Sequence, residues 1–586
     1  MTWATEQREH WIKKYFPYTG DSRDLSDTRS YINTQDQLKK EYAGRVLLEL
    51  LQNVDDAANK AALNKVIRTE WVTEFVLDKD SLKVMNHGTT FTGDTLMRLC
   101  NGADSDKAED EETTGAKGIG FRGVLNWSDD IRIYSGDFAV SFSKFGVHKV
   151  LDTLNKNNNV IFKTLTDTNP HILELISPLS VPFDVDTDKI PPQWSNKKYN
   201  KTYDTCIELR LTPDKIQKVK NAFKTFETDE IYSMLFMRRI NKVILTDNTG
   251  DMPHTIVIST TENNNIKTIT IEKTNGDTTH DKFYFFKYNK YNSIAVPCNW
   301  DKNKTYTLYN TFPITDKKLP LPVLMNSTQF QLTQNRDSFT ADTTTNQELL
   351  ADLLIHLLNI AVTHFTNHDN NKNWGIELFT FNSELAENLR FWEDAVARAN
   401  LQQKLSEAKI IPSMDGKKLF SYKDKPEFFT DTEPNLAHLK ELVKSEYIEE
   451  QTANALKESI LGKDLSKISE KDLCNFINSH SSEWDTQQRI DVFIFWTNNY
   501  HGFTTMPKLL KTQQGTFFEL SKGNSLVLYS GDTIGKIPDW AEAQMDLINS
   551  KDRDYLFKIT PVHNANEKNK ERDVAEYYND NTATEI

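Results

Sequence analysis

Apolar and polar positions repeat with a helical period from Gln35 to Lys60, a stretch in which Gly44 is the one helix breaker. In its second half, Glu49, Asn53 and Asp56 fall on one stripe, because a helix turns by about 100° per residue. The opposite face is apolar and consists of Val46, Leu47, Leu50, Leu51, Val54, Ala57, Ala58 and Ala61. The pattern predicts a helix that packs on one side. Its polar stripe fits either a solvated surface or a binding face.

The patterns that follow predict a small sheet. They indicate a β-hairpin over residues 74–88, a helix over 92–100, a hairpin over 130–147 and a strand over 206–212. In the second hairpin, Phe138, Val140 and Phe142 alternate as a half-buried strand requires. Residues 101–118 are polar, acidic and loop-like. Together these elements predict an α+β chain that begins with an antiparallel sheet covered by helices on one face.

The length of 586 residues predicts roughly three or four domains. We expect an N-terminal α/β sandwich at 1–215, an α/β domain with alternating helices and strands at 216–365, and a mixed α/β region at 366–586. Within that last region, KIIPSMDGKKLF (409–420) and KLLKTQQGTFFE (508–519) share the spacing of a lysine, two apolar residues, a hydroxyl residue and a glycine. Two copies favour a duplicated strand-turn unit slightly over coincidence.

The apolar runs, the net charge and the cysteine spacing limit the kinds of protein that this chain can be. No apolar run approaches the ~18–20 residues that span a bilayer, and the N-terminal residues lack a signal-peptide core, so we expect a cytoplasmic protein without a membrane partner. The net charge of −14 argues against attraction of the whole chain to nucleic acid. Basic stretches at 215–224 and 237–242 are more typical of solvated faces than of anion sites. The four cysteines are far apart, which predicts reduced, mostly buried thiols.

The most glycine-rich segment, TGAKGIGFRGV, contains G-x-G-x-x-G at Gly118, Gly120 and Gly123. A dinucleotide fold needs a buried strand directly before these glycines, but the acidic sequence EDEETTGAK stands there. The chain also lacks the G-x-x-x-x-G-K-[ST] pattern of a P-loop. Glycines ahead of a helix that begins near Gly120 would suit a phosphate group, and a loop with a glycine cap is the alternative.

These motifs, taken in order, resemble those of the GHKL ATPase superfamily, which includes gyrase, the ninety-kilodalton heat-shock chaperone, histidine kinases and MutL. The boxes closest to sacsin-like ATP-binding domains are ELLQNVDDA and KGIGFRGV. The family pattern E-x-x-x-N-x-x-D-A is matched at Glu49, Asn53, Asp56 and Ala57; D-x-G at Asn86 and Gly88; G-x-G-[FI] at Gly118, Gly120 and Phe121; and the later threonine at Thr205. Two positions depart from it, because Asn86 replaces an aspartate and Asp204 replaces a glycine.

The resemblance covers about residues 35–350 and implies a site for ATP and Mg²⁺. Glu49 would activate water, Asn53 would bind Mg²⁺, and Asp56 would organise the adenine side. Asn86 would accept a hydrogen bond from the adenine amino group, without the charge of the family's aspartate. The remaining nucleotide contacts implied are Ala57, Gly88, Lys117, Gly118, Ile119, Gly120, Phe121 and Thr205, under a lid at 101–117. In QFQLTQNRDSF, Arg336 would reach the γ-phosphate.

The resemblance thus implies a slow, Mg²⁺-dependent ATPase whose lid closure drives chaperone-like action on protein clients, with transient dimerisation through the ATP domains. A second hypothesis is a nucleotide-gated switch that acts with a partner effector in a bacterial nucleic-acid-processing or anti-phage defence complex. A non-hydrolysing scaffold is a third, although the presence of Glu49 argues against it.

Overall fold

The structure is a computed structural model in which two compact units can be described separately. The first unit comprises Met1–Leu357 and Asn382–Ala399, and the second comprises Leu358–Phe381 and Asn400–Ile586. The residues that the structure describes are 2–18, 20–41, 45–101, 120–191, 194, 203–301, 304–333, 338–340, 344–366, 375–382, 384, 389–429, 439, 441, 443–499, 506–519, 526–528, 548–559 and 583–585.

Helices and strands alternate irregularly along the chain. The α-helices are α1 Trp3–Tyr15, α2 Ser22–Glu41, α3 Val46–Leu63, α4 Gly93–Asn101, α5 Lys144–Lys156, α6 Val160–Thr168, α7 Pro213–Thr225, α8 Thr344–His364, α9 Leu389–Arg398, α10 Leu401–Glu407, α11 Glu450–Glu458, α12 Glu470–His480, α13 Thr486–Asn499 and α14 Ser550–Ile559. Within the described part of the chain, none of the helices combines the length and the apolarity needed to cross a bilayer.

Most of the strands belong to the first unit. They are β1 Val72–Leu77, β2 Ser81–Asn86, β3 Asp130–Ser135, β4 Phe138–Ser143, β5 Pro182–Asp184, β6 Thr205–Arg210, β7 Lys242–Asp247, β8 His254–Asn263, β9 Ile266–Lys273, β10 Thr278–Lys287, β11 Asn292–Pro297, β12 Tyr306–Asn310, β13 Phe312–Leu319 and β14 Leu324–Ser327. The second unit contains the short strands β15 Ile411–Pro412, β16 Leu419–Phe420, β17 Phe428–Phe429, β18 Ile448–Glu449, β19 Leu526–Leu528 and β20 Ala583–Glu585.

The first unit is built on one 14-stranded sheet with the strand order β13-β12-β14-β11-β10-β9-β8-β7-β1-β2-β6-β3-β4-β5. The β1–β7 and β12–β14 pairs are parallel, and the other pairs are antiparallel. The α+β class is therefore confirmed, with a mixed sheet that continues past residue 215. The predicted domain boundaries at 215 and 365 stay predictions.

The main core lies between this sheet and the helices α3, α4 and α7. Leu50 and Leu51 of α3 pack with Phe75 of β1, and Phe223 of α7 meets Phe75 edge-on, with 6.3 Å between ring centroids. A second cluster of buried side chains joins α1, α2, α5 and α6. The apolar face predicted for α3 is thus the face that packs on the sheet.

Several predicted elements are confirmed, and three need correction. Both hairpins form as the antiparallel pairs β1–β2 and β3–β4, and the predicted later strand is β6. The helical pattern from Gln35 to Lys60 is divided between α2 and α3, because Arg45 has a non-helical backbone with φ −125° and ψ 29°. The second hairpin ends at Ser143, whose hydroxyl accepts a hydrogen bond from the N–H of Gly146 and so caps α5.

Two further predictions concern regular structure after Gly120 and after Leu235. Residues Gly120–Asn126 form a 3₁₀ helix, which lies between the two alternatives of a helix that begins near Gly120 and a loop with a glycine cap; Gly123 has low helix propensity. Between Leu235 and Thr344 the described residues contain strands and turns but no helix, so the expected alternation with helices is wrong there. Strands β8 and β9 are rich in isoleucine, valine and threonine, which favour extended structure.

The second unit has its own core around α12, α13 and α14. It also contains both copies of the predicted strand-turn repeat. In the first, the N–H of Gly416 donates to the carbonyl of Ser413 at 2.8 Å; in the second, Gly515 donates to Thr512 at 2.8 Å. Both glycines have positive φ, at 68° and 84°, which glycine adopts without strain. The sequence echo therefore corresponds to two similar turns.

The cysteines are free, and Cys100, Cys206 and Cys474 are buried, as predicted.

Candidate functional site

The polar stripe of α3 lies partly within the protein. Glu49 is buried, and Asn53, Asp56 and Ala57 are half-buried. Asn53 is unusual among them, because its Nδ2 atom is buried and has no hydrogen-bond partner among the described residues. Since buried polar groups are almost always hydrogen-bonded, this atom is available to a polar group other than the described residues. A simple solvated face does not account for it.

Gly88 brings the end of β2 against this helix. A Cβ atom at Gly88 would lie 2.9 Å from the carbonyl carbon and 2.9 Å from the Cβ of Ala57, closer than atoms pack in proteins. The N–H of Thr89 also donates to the carbonyl of Ala57 at 3.0 Å. Glycine is therefore required for the close approach, and the strand end is fixed against Ala57, the residue that follows Asp56 in α3.

A row of buried polar side chains crosses the sheet at this edge. In strand register, Thr73 of β1 is opposite Asn86 of β2, Asn86 is opposite Thr205 of β6, and Thr205 is opposite Ser135 of β3. All four are buried. Side chains two residues away in each strand, such as Val84 and Ile207, belong to the core shared with α3. Because alternate residues share a face, this polar row faces the helix side of the sheet.

Hydrogen bonds hold the side chains of the polar row in place. The hydroxyls of Ser135 and Thr205 are 2.6 Å apart, and Ser135 Oγ also accepts from the N–H of Phe91 at 2.9 Å. The Nδ2 of Asn86 donates to the carbonyl of His87 at 3.0 Å. These contacts hold the side chains in one arrangement, which is typical of a binding surface that is formed before its ligand arrives.

Asp204 supports the same strand end. Its carboxylate accepts the N–H of Gly88 at 3.0 Å and pairs with Arg68 at 3.0 Å. Its own N–H donates to the carbonyl of Asn86 at 3.0 Å. The departure from glycine at this position therefore supplies contacts to the loop that touches α3. Neither this role nor the presence of Ser135 follows from the motif, because both depend on the register between distant strands.

The neighbouring aspartates of α3 have different surroundings. The carboxylate of Asp55 accepts backbone N–H groups of Arg238, Arg239 and Ile240 at 2.9, 2.8 and 2.8 Å. Burial raises the pKa of Asp55, and these hydrogen bonds oppose the rise. Asp56 lies 3.9 Å from the guanidinium of Arg238. The basic stretch 237–242 is thus docked on α3 in part and is not simply a solvated face.

The phosphate side of the predicted site is only partly described. Gly120 opens the 3₁₀ helix, and Phe121 is buried in the core beside α3. Lys117, Gly118, Ile119, Arg336 and most of the expected lid lie outside the described residues. The structure therefore joins Gly88 to Ala57 of the helix that contains Glu49, Asn53 and Asp56, and pairs Asn86 with Thr205. The roles of all the predicted site residues stay predictions.

A separate cavity of about 320 Å³ lies at the first turn of α3. Arg45, Lys218 and Glu230 line it together with Trp127, and none of the polar row does. Burial raises the pKa of Glu230 to about 7, against the opposing charge of Arg45. This cavity is distinct from the polar row, which adjoins the middle of the helix at Ala57.

The fold and site define an α+β protein with a large mixed sheet and a buried polar row beside a two-faced helix. Comparison with known proteins gives partial similarity. Sacsin of Homo sapiens is 27% identical over 232 residues, and Protein NO VEIN of Arabidopsis thaliana is 34% identical over 96 residues. These matches cover 37% and 16% of this chain but only 5% and 3% of the two relatives. No protein-family model matches the chain.

Proposed function

We propose that this chain binds ATP with Mg²⁺ and hydrolyses it slowly, through a GHKL-type (Bergerat) ATP-binding fold in the N-terminal part of the first unit. One observation supports the proposal: Gly88, at the end of β2, packs on Ala57 of the helix that contains Glu49 and Asn53, and Asn86 of β2 is in register with Thr205 of β6. The partial similarity to sacsin adds support.

The residues fit a nucleotide and its metal ion. The amide oxygen of Asn53 is the hard ligand that Mg²⁺ prefers, and its buried, unpartnered Nδ2 can donate to a phosphate oxygen. One side chain is enough, because Mg²⁺ in such sites keeps waters and takes its other oxygens from phosphates. Bound Mg²⁺ would neutralise charge on the phosphates.

Glu49 is the proposed general base. It lies one turn before Asn53 on the same stripe, so it would face a water molecule near the terminal phosphate. Its carboxylate would accept the proton of that water as the water attacks phosphorus, while the leaving diphosphate oxygen takes up the negative charge. Asn86 and Thr205 would hold the base, and Asp56 would order the adjoining polar groups. Arg336 and the Lys117–Phe121 segment would contact the phosphates.

The experiment is a steady-state ATPase assay with Mg²⁺, combined with nucleotide binding. We expect Glu49→Ala to retain ATP binding and lose turnover by roughly 10²–10⁴-fold, the usual contribution of a general base. Arg336→Ala should bind ATP with reduced turnover. Glu70→Ala, which removes an exposed glutamate paired with Lys242, is the control and should hydrolyse at the wild-type rate. Full turnover by Glu49→Ala would reject its role.

For the output of hydrolysis we propose chaperone-like action on protein clients, as the superfamily resemblance implies, with the first units of two copies meeting transiently when ATP is bound. ATP-dependent suppression of client aggregation by wild type, absent in Glu49→Ala, is the expected result. A wild-type protein that binds DNA, RNA or a nuclease without affecting aggregation would instead favour the nucleotide-gated switch.

A further inference from the structure

We propose that Ser135 is a positioning residue that sets base selectivity: it turns the Thr205 hydroxyl into a hydrogen-bond donor, which beside the acceptor oxygen of Asn86 selects adenine. The inference rests on the proposed function. It adds a residue that the motifs do not contain and gives a physical basis for the choice of base.

The hydroxyl of Ser135 has two hydrogen-bond partners among the described residues. Its oxygen accepts the N–H of Phe91 at 2.9 Å and lies 2.6 Å from Thr205 Oγ1. No other partner of this hydroxyl occurs among the described residues, and the side chain is 1% exposed. The distance alone allows either hydroxyl to donate. When an acceptor atom of a ligand lies beside Thr205, only the arrangement in which Ser135 donates to Thr205 leaves no hydroxyl proton buried without an acceptor, so Ser135 is the donor in the nucleotide-bound protein.

The consequence for Thr205 is a free donor. When its oxygen accepts from Ser135, its own proton points away from Ser135. Thr205 is 2% exposed, and it has no second hydrogen-bond partner among the described residues. The proton is therefore available to an acceptor atom of a ligand on the helix side of the sheet.

Asn86 is the register neighbour of Thr205. Its Nδ2 donates to the carbonyl of His87 at 3.0 Å, which fixes the orientation of the amide. Its Oδ1 receives no hydrogen bond from a described residue, so the side chain presents an acceptor. With Asn86 turned this way, the row offers an acceptor next to a donor.

An acceptor next to a donor complements a base edge with an amino group beside an unprotonated ring nitrogen. Adenine has this edge at N6 and N1. Hypoxanthine has the reverse, a carbonyl oxygen beside a ring N–H, with the same ring shape. A site built to hydrogen-bond one pattern rejects the other strongly, because buried groups are left unpaired. ATP and ITP therefore isolate the proposed contact.

The test compares the dissociation constants of ATP and ITP by calorimetry for wild type and Ser135→Ala. Wild type should prefer ATP by about 100-fold or more. In Ser135→Ala the Thr205 hydroxyl can turn to accept, so affinity for ATP should fall while affinity for ITP rises, and the ratio should drop about tenfold. A purely structural effect would weaken both nucleotides equally.

Three further variants keep the test decisive. Thr205→Ser retains the hydroxyl and should keep the wild-type ratio of ATP affinity to ITP affinity. Thr205→Val should reduce this ratio by weakening ATP binding, and it can be measured even if Ser135→Ala does not fold. Ser128→Ala removes a buried hydroxyl near the other end of β3, bonded to the carbonyls of Asp130 and Arg210, and should leave the ratio unchanged. A Ser135→Ala ratio within about twofold of wild type, when wild type does prefer ATP, would overturn the inference. Absence of binding to either nucleotide by wild type would instead reject the proposed function.

Discussion

Two adjacent aspartates of α3 illustrate how differently neighbouring residues act. Asp55 accepts three backbone N–H groups of the 238–240 turn, whereas Asp56 lies on the polar stripe, 3.9 Å from Arg238. Both are aspartates of the same helical segment. Only the spacing of Asp56 from Glu49 and Asn53 indicates that Asp56, and not Asp55, belongs to the motif. One is a structural residue of the fold, and the other belongs to the candidate site.

Replacing each aspartate should separate these roles. Asp55→Ala leaves three backbone N–H groups without their acceptor, one of them buried and two partly buried, so we expect the free energy of unfolding to fall by about 3 kcal/mol. Asp56→Ala removes a long ion pair and should lower it by about 1 kcal/mol or less, while weakening nucleotide binding. Urea denaturation and ATP titration of both variants measure the two effects. Equal loss of stability in the two would contradict the assignment.

Glu230 should make the stability of the folded protein depend on pH. Burial raises its pKa from 4.5 to about 7, so between these values the folded protein binds more protons than the unfolded chain. The contribution of Glu230 to stability is thus fully present below pH 4.5 and is lost as pH rises through 7. Glu230→Gln stays neutral, so it should gain stability over wild type on the order of 2 kcal/mol at pH 8 but not at pH 4.5. Thermal unfolding across this range measures the difference, and a pH-independent difference would contradict it. Exposed Glu70→Gln serves as the control.

At the scale of the helices and strands, periodic patterns predicted the features that depend on local sequence. The two faces of α3 and the hairpin pairs follow from spacing alone. The end of β4 follows from the capping hydroxyl of Ser143, which a strand pattern does not reveal. Ser135 could not be predicted as a site residue, since its place beside Thr205 depends on the pairing of β3 with β6, which are far apart in the chain.

In the second unit, a buried ion pair joins separate elements. Arg489 of α13 donates to both oxygens of Asp552 in α14, at 2.8 and 2.6 Å, and the N–H of Lys511 in the repeated turn segment donates to the same carboxylate at 2.8 Å. The side chains are 3% and 1% exposed. Removing one partner would leave an uncompensated buried charge.

We therefore expect Asp552→Ala to lower the free energy of unfolding of the second unit by about 3–5 kcal/mol. The control is Glu519→Ala, which breaks an exposed pair with Lys508 in the same unit and should cost about 1 kcal/mol or less. Hydrogen exchange of the backbone N–H groups of α13 and α14, which contribute to the core of this unit, measures both. Similar costs for the two variants would show that burial of the pair is unimportant.

At the scale of the whole molecule, the motifs located the candidate site but not the architecture around it. Among the described motif residues, Gly88 packs on Ala57 and Asn86 is in register with Thr205. The 14-stranded sheet, and its parallel junction between β1 and β7, could not be predicted, because strand order depends on long-range pairing. The contributions of Arg336 and the Lys117–Ile119 loop stay predictions.

The central claim is that the stripe of α3 and the polar row bind ATP with Mg²⁺. Its most direct test is calorimetric titration of the wild-type protein with ATP in the presence of Mg²⁺, beside Asn53→Ala. The account predicts saturable binding by wild type, weakened about tenfold or more in Asn53→Ala when Mg²⁺ is present. Absence of ATP binding by a folded wild-type protein would contradict it and leave residues 49–60 as a helix with a polar face of another purpose.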